Sequence, residues 1–159
     1  MLNLRPLTLA LIFVITAGVF SAAAQSQSIA STSSTEGEVR AFYDSYAEDL
    51  HQHRREGIAD RYDRRGTYLM GNGNKRLVPF DQIKERYLTK WTGPKSFSWS
   101  DLSVEVISTN VVAVMAKFEW VTAAGQSMNF SYTGVLIKQK GEWRIRVEDE
   151  SMAPPRSNN

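Results

Sequence analysis

Residues Tyr132–Ile145 read YTGVLIKQKGEWRI, and they carry the strongest secondary-structure signal of the chain. Apolar side chains alternate on both sides of Lys140-Gly141, a dipeptide that is typical of a turn. The stretch therefore predicts two long strands that pair antiparallel, because so short a connection can join only antiparallel neighbours.

The same alternation extends through most of the chain after Pro94. It predicts four strands, over about residues 97–107, 111–122, 127–139 and 142–151. The connections between these segments are short, so we expect consecutive strands to lie side by side in an antiparallel meander.

Helical periodicity precedes the strands. A first helix is expected to begin at Thr35-Glu-Gly-Glu38, which has the spacing of a capping box. Apolar residues then recur at intervals of three and four, which predicts one buried helical face. That face consists of Val39, Phe42, Tyr43, Tyr46 and Leu50.

Two shorter helices and a hairpin complete the predicted domain. The second helix is expected over about residues 54–62, and the third from an N-cap at Asp81 to Trp91. Between them, Gly71-Asn-Gly-Asn74 is typical of the turn of a β-hairpin. The order predicts an α+β domain in which three N-terminal helices pack on one face of a curved antiparallel sheet.

Composition excludes several classes of function. The 159 residues are 42% hydrophobic and 23% charged, as expected for one globular domain with a core. The formal net charge is only +2, and basic residues alternate with acidic ones, so no nucleic-acid partner is expected. Cysteine is absent, which excludes disulfides, thiolate catalysis and cysteine-based metal sites. No cofactor is expected.

The first 24 residues resemble an export signal. Arg5 is followed by an apolar run and then by Ala22-Ala23-Ala24, the small residues that signal peptidase prefers. An uncleaved membrane anchor is the alternative, because the apolar run is almost long enough to span a bilayer. With cleavage, we expect an exported protein, periplasmic or secreted, without a stable membrane anchor. It would have a flexible leader at 25–35, the domain at 36–152 and a disordered tail at 153–159.

The segment from Glu38 to Ser151 resembles the nuclear transport factor 2-like (NTF2-like) superfamily, specifically its exported or bacterial SnoaL-like and DUF4440-like members. The motifs that carry the resemblance are Gly57–Met70 (GIADRYDRRGTYLM), Arg76–Tyr87 (RLVPFDQIKERY) and Tyr132–Ile145. The resemblance implies a cystatin-like α+β roll, in which the bent sheet and the helices form a cone around a ligand cavity. It also implies frequent dimerisation through the sheet, and it leaves the activity open.

Residues known from enzymes of this superfamily are only partly matched. Tyr46 falls in the register of the tyrosine that stabilises an oxyanion in ketosteroid isomerases, but Met70 occupies the position of the aspartate base. Thr133 or Gly134 replaces the protonated aspartic acid. His51 and His53, the chain's two histidines, are two residues apart and point in different directions, so no metal site is predicted.

Two strands supply candidate cavity residues. Along 111–122, the more apolar row is expected to face the helices; it comprises Val112, Val114, Ala116, Phe118 and Trp120. Along 127–137, one row grades from polar to apolar; it comprises Ser127, Asn129, Ser131, Thr133, Val135 and Ile137. Its first four residues are expected to line the cavity, with a solvent-facing row as the alternative. In either case the opposite row, Met128, Phe130, Tyr132 and Leu136, is too apolar to face water.

Three acids in succession end the last predicted strand, at Glu148-Asp-Glu150. Strict alternation would place Asp149 on the inner face with Trp143 and Ile145, and the two glutamates outside. The predicted ligand site therefore has Tyr46, Tyr68, Trp91 and Trp120 as walls, Asn129 and Ser131 as polar contacts, and Asp149 at the mouth.

Three functions remain open at this point. The first is binding of a small hydrophobic or aromatic molecule in the cone, by a protein that is expected to be a homodimer. The second is a lyase, isomerase or cyclase with Asp149 as base and Tyr46 as acid or oxyanion donor. The third is a dimeric interaction module without a ligand.

Overall fold

Four helical segments and six strands make up the computed structural model, which describes residues 19–71 and 74–152, with side chains from Ser31 onward. The helical segments are α1 (Val19–His51), α2 (Arg55–Asp60), α3 (Phe80–Glu85) and a π-helical turn (Arg86–Lys90). The strands are β1 (Thr67–Gly71), β2 (Asn74–Val78), β3 (Ser96–Ser108), β4 (Val111–Val121), β5 (Ser127–Gln139) and β6 (Glu142–Met152). In the described part of the chain, no helix has the length and apolar character needed to cross a membrane.

The strands form one curved, unclosed sheet in the order β2-β1-β6-β5-β4-β3. Neighbours pair antiparallel except β1 and β6, which are parallel. The predicted fold class, hairpin and four-strand meander are confirmed. The parallel pair was not predicted, and it is important because it places the β1–β2 hairpin beside the last strand.

The helix ends differ from the prediction. α1 begins at Val19, so residues 25–35, expected as a flexible leader, are helical, and Thr35 is a buried residue within the helix rather than its cap. Asp81 is not an N-cap, because α3 begins at Phe80 after Pro79 without a capping side chain. The proposed tail at 153–159 and most of the signal segment lie outside the described residues.

The core lies between α1 and the inner face of the sheet. The predicted face of α1 is buried except for the partly buried Phe42, with Tyr43 fully buried and Tyr46 3% exposed. Val112, Val114, Ala116 and Phe118 of β4 are also buried, as predicted. Trp120 is partly buried and packs against this cluster.

The inward row of β5 was predicted wrongly. Asn129 and Ser131 are exposed on the outer face, whereas Tyr132 is buried on the inner face. The register explains this, because Tyr132 pairs with the buried Ala116 of β4, and directly paired residues share a face. The apolar row therefore covers the core, and the polar row faces outward.

A β-bulge at Arg146 reverses the alternation of β6. Leu136 pairs with Ile145, but the preceding residue of β5, Val135, pairs with Val147. Arg146 is thus the extra residue of the strand, and one extra residue moves every following side chain to the opposite face. Glu148 consequently points inward and is only 6% exposed. Asp149, predicted at the cavity mouth, pairs with the outward-facing Thr133 instead.

Buried Asp63 anchors the bulge. The Asp63 side chain is 0% exposed and lies 3.4 Å from the Arg146 guanidinium, which also donates a 2.6 Å hydrogen bond to the Gly66 carbonyl. Burial would raise the pKa of Asp63, but hydrogen bonds from the side chain and backbone of Arg65 hold it below its ordinary value. Asp63 is therefore ionised and holds two arginines.

Replacing this carboxylate should destabilise the fold. We expect Asp63→Ala to lower the free energy of unfolding by about 3 kcal/mol, because it leaves the partly buried Arg146 without its counter-ion. Urea denaturation at pH 7 measures the change. Asp60→Ala is the control, since Asp60 forms an exposed pair with Arg64 and should cost little. Equal losses in the two variants would contradict the anchoring role.

Candidate functional site

Two connected spaces lie between the inner face of the sheet and the helical segment that follows β2. The first, here the polar compartment, is a cavity of about 510 Å³ whose lining includes Arg76, Arg86, Lys90, Glu148 and Glu150. The second, here the aromatic compartment, has a volume of about 260 Å³. Tyr87, Arg86 and Glu150 line both, so a ligand can extend from one into the other. A further space of about 630 Å³ continues outward over the β1–β2 hairpin.

Aromatic rings form the wall of the aromatic compartment. The residues that line it include Tyr46, Trp91, Phe97, Trp99, Trp120 and Phe130. The rings meet mostly edge to face, as in the pairs Trp91–Trp120 at 6.3 Å and Phe97–Trp99 at 4.8 Å between centroids. Such a wall suits a flat, apolar molecule.

Three of the predicted wall residues, Tyr46, Trp91 and Trp120, therefore line the cavity. Tyr68, the fourth, does not line any of these spaces. Its ring lies 5.1 Å from the guanidinium of Arg146, while the next residue, Leu69, lines the polar compartment instead.

Glu148 is the carboxyl group at the centre of the site. Its Oε2 accepts a 3.0 Å hydrogen bond from the Tyr62 hydroxyl, whereas its Oε1 is buried and has no hydrogen-bond partner. Burial, followed by the nearby charge of Glu150, raises the pKa of Glu148 to about 8. Glu148 is therefore mainly a neutral carboxylic acid at pH 7, and its proton belongs on the unpaired Oε1, since Oε2 accepts.

A buried tyrosine network orients this acid. The Tyr62 hydroxyl lies 2.9 Å from that of Tyr87 and 3.1 Å from that of Tyr46. A hydroxyl has one proton to donate and two lone pairs, so Tyr62 can donate to Glu148 while accepting from both other tyrosines. Burial raises the pKa of all three phenols well above the ordinary value, which keeps them neutral.

The β-sheet register places Glu148 in a row of inward-facing residues. Arg76 of β2 pairs with Leu69 of β1, Leu69 pairs with Glu148 of β6, and Glu148 pairs with Gly134 of β5. A Cβ atom at Gly134 would lie 2.6 Å from the Tyr132 hydroxyl, so the absence of a side chain makes room for the 2.9 Å bond between Tyr132 and Tyr43.

No sequence pattern singles out Glu148 as the buried acid. Three acids in a row occupy 148–150, so at least one carboxyl group faces inward whichever way the side chains alternate. A β-bulge decides which one, and no residue type in the sequence marks that bulge. Tyr62 and Tyr87 were assigned to helices without a role in the site. A hint for Tyr87 was its spacing of four residues from both Ile83 and Trp91 in the predicted third helix.

No group of three or more metal-ligating side chains lies together in residues 31–71 and 74–152. His53, one of the two histidines, has its Nε2 2.7 Å from the Pro94 carbonyl and its ring edge-on to Trp91 at 5.6 Å. This histidine therefore supports the loop that ends the helical segment.

The family follows from the match of residues 39–155 to the SnoaL-like domain family. The match covers most of the chain, and the chain belongs to this family within the NTF2-like superfamily. No curated protein matches the sequence.

Solved structures share the fold at low sequence identity. An NTF2-like protein of unknown function from Shewanella oneidensis MR-1 is 12% identical, with a TM-score of 0.65 over 73% of this chain and 98% of that one. A ketosteroid isomerase-like protein from Erwinia carotovora atroseptica SCRI1043 is 20% identical, with a TM-score of 0.61 over 75% and 96%. A hexachlorocyclohexane dehydrochlorinase from Novosphingobium barchaimii LL02 is 11% identical, with a TM-score of 0.59 over 78% and 90%. At these identities the likeness concerns the fold alone.

The raised pKa of Glu148 predicts a specific pH dependence of stability. A carboxyl group whose pKa is raised on folding binds its proton more tightly in the native state, so stability falls as pH rises from 4.5 to 8. Glu148→Gln removes this loss. We expect the variant to exceed the wild type by roughly 2–4 kcal/mol at pH 9 and to match it near pH 4.5, in urea denaturation.

Asp149→Asn is the matched control, one residue away on the opposite face. It should keep the wild-type pH profile. If instead Asp149→Asn relieved the alkaline loss and Glu148→Gln did not, the bulge and the inward position of Glu148 would be wrong.

Proposed function

We propose that this SnoaL-like domain binds a small, largely apolar molecule in its aromatic compartment. One observation carries the proposal: a buried carboxyl group with an unpaired oxygen lines the cavity next to a wall of aromatic rings. Buried polar atoms in native proteins are nearly always hydrogen-bonded, so an unpaired one in a residue that lines a cavity favours a bound partner. The protonated Oε1 of Glu148 would donate to a carbonyl or hydroxyl oxygen of that partner.

The dimensions of the compartments limit the ligand. About 260 Å³ of aromatic space accommodates a bicyclic ring system, and the polar compartment accepts the substituents. Apolar contact with the rings would supply most of the affinity, and Glu148 the orientation.

A filling substitution tests this proposal. Met128 lines the aromatic compartment, whereas its neighbour Asn129 is exposed on the other face of β5. With the neutral fluorescent probe N-phenyl-1-naphthylamine, we expect saturable binding to the wild type and to Asn129→Trp. In Met128→Trp the indole occupies the compartment, so affinity should fall by about tenfold or more. Unchanged affinity in Met128→Trp, or no saturable binding to the wild type, would contradict the proposal.

A second function, proton transfer to or from the bound molecule, is favoured by the pKa of Glu148. A carboxyl group with a pKa of about 8 is divided between acid and base near neutral pH, which is the condition for general acid–base catalysis. The fold is compatible with this class of reaction, since an isomerase-like protein and a dehydrochlorinase share it. Glu148 would replace Asp149 as the proposed base, and Tyr62, which contacts it, would replace Tyr46 as the nearest phenol.

Exchange of carbon-bound protons tests proton transfer without knowledge of the natural substrate. In 2-tetralone, a bicyclic ketone, the ionised Glu148 would take a proton from the carbon beside the carbonyl and return deuterium from D₂O. We expect the exchange rate, followed by NMR, to rise with pH to a plateau above about 8. Glu148→Gln should exchange at the background rate and Asp149→Asn at the wild-type rate. Equal rates in both variants would exclude Glu148 as the base.

Export and dimerisation remain proposals. The sequence of residues 1–24 supports cleavage before Gln25 and a periplasmic or secreted location. Exposed apolar side chains on β3 and β4, Ile107 at 62% and Met115 at 43%, support a homodimer through the sheet. The mass of the mature chain and its sedimentation velocity test these proposals; an intact Met1 or a monomer at 100 μM would contradict them.

A further inference from the structure

Arg76 and Arg86 differ from the other arginines that the structure describes. Those others are in ion pairs, as Arg61 is with Asp49, or, in the case of Arg55, donate to a backbone carbonyl. Within the described residues, neither Arg76 nor Arg86 makes a side-chain hydrogen bond or an ion pair, and both are exposed. The charge of Arg86 does act on Glu148 and Glu150, whose pKa it lowers. Both arginines line the polar compartment.

The fold brings these two guanidinium groups to the same cavity from different elements. Arg76 on β2 lies directly opposite Leu69 on β1, and Leu69 lies directly opposite Glu148 on β6. The Cα of Arg76 is therefore about 10 Å from that of Glu148, a distance that an arginine side chain can span. Arg86 begins the π-helical turn that also carries Tyr87 and Lys90, and it lines both compartments.

Charge within the compartment favours an anion. Arg76, Arg86 and Lys90 contribute three positive charges, whereas Glu85 and Glu150 contribute two negative ones. Glu148 is neutral in its protonated form and can donate to an anion rather than repel it. A guanidinium group matches a carboxylate in geometry, since it can donate two parallel hydrogen bonds to the two oxygens.

We propose that the ligand is an amphipathic carboxylate, whose apolar rings occupy the aromatic compartment and whose carboxylate group lies between Arg76 and Arg86. The inference rests on the proposed ligand-binding function, and it adds the chemical class of the ligand. The carboxylate supplies an acceptor in direct contact, which neither arginine has; for Arg86 this contact adds to the longer-range attraction of Glu148 and Glu150. Arg86 lies where the two compartments meet, so it fixes which end of the molecule enters first.

A pair of isosteric probes tests the inference: 2-naphthoate and its neutral amide, 2-naphthamide. In isothermal titration calorimetry at pH 6.5, we expect the wild type to bind the carboxylate about tenfold more tightly than the amide. Arg76→Gln/Arg86→Gln should remove this preference, because it lowers the affinity for the carboxylate about tenfold more than the affinity for the amide. Lys84→Gln is the charge control, since Lys84 is exposed on α3 outside the lining of the compartments, and should keep most of the preference.

Each outcome decides between the two proposals. Equal affinities for both probes in the wild type, or a preference that survives in the double arginine variant, would overturn the carboxylate assignment and leave the apolar site intact. Failure of both probes and of N-phenyl-1-naphthylamine would instead overturn the apolar site. A comparable loss in Lys84→Gln would show that only the net charge of the protein matters, which also overturns the assignment.

Discussion

The β-bulge at Arg146 determines which side chains of β6 enter the cavity. Before it, Trp143 and Ile145 are buried against the core; after it, Glu148 faces inward and Asp149 outward. The extra residue is held in place because the Arg146 side chain binds the Gly66 carbonyl and Asp63, which lie in the segment between α2 and β1. A backbone irregularity thus couples that segment to the position of the buried acid.

The same segment builds the rest of the acid's surroundings. The backbone N–H of Asp63 donates to the Ile145 carbonyl, and the N–H of Ile145 donates to the Arg61 carbonyl. These bonds hold Tyr62 against β6, so that its hydroxyl reaches Glu148. Burial and the nearby charge of Glu150 keep Glu148 protonated at neutral pH by raising its pKa, whereas the hydrogen bond from Tyr62 lowers the pKa and orients the group. A carboxylic acid held neutral in an aromatic cavity can donate a hydrogen bond to a ligand or exchange a proton with it.

Sequence periodicity predicted the elements far better than it predicted the site. The four long strands and the Asn-Gly hairpin were identified because alternation and turn chemistry are local properties of the chain. Tyr46, Trp91 and Trp120 were correctly placed in the cavity because each lies on a regular apolar face. Asn129 and Ser131 were misplaced because a graded polar row resembles a cavity lining, and only pairing with β4 decides its direction.

The predictions for Asp149 and Tyr68 were wrong for a different reason: both positions depend on contacts between segments that are far apart in the sequence. Which side chains of β6 face inward depends on a bulge that is held by residues some eighty positions earlier in the chain. No local sequence pattern encodes that contact. Tyr68 depends on the parallel pairing of β1 with β6, which brings its ring to Arg146 and leaves Leu69 to face the cavity. No local sequence pattern distinguishes Arg76 and Arg86 from other arginines, because their position at the cavity is set by the fold.

The most direct test of this account is a carbon-13 NMR titration of the glutamate side-chain carboxyl groups. We expect one Glu resonance that titrates near pH 8 and is missing in Glu148→Gln. If every glutamate carboxyl group titrated near its ordinary pKa of 4.5, Glu148 would not be buried in the cavity, and the proposed role of the bulge would be wrong.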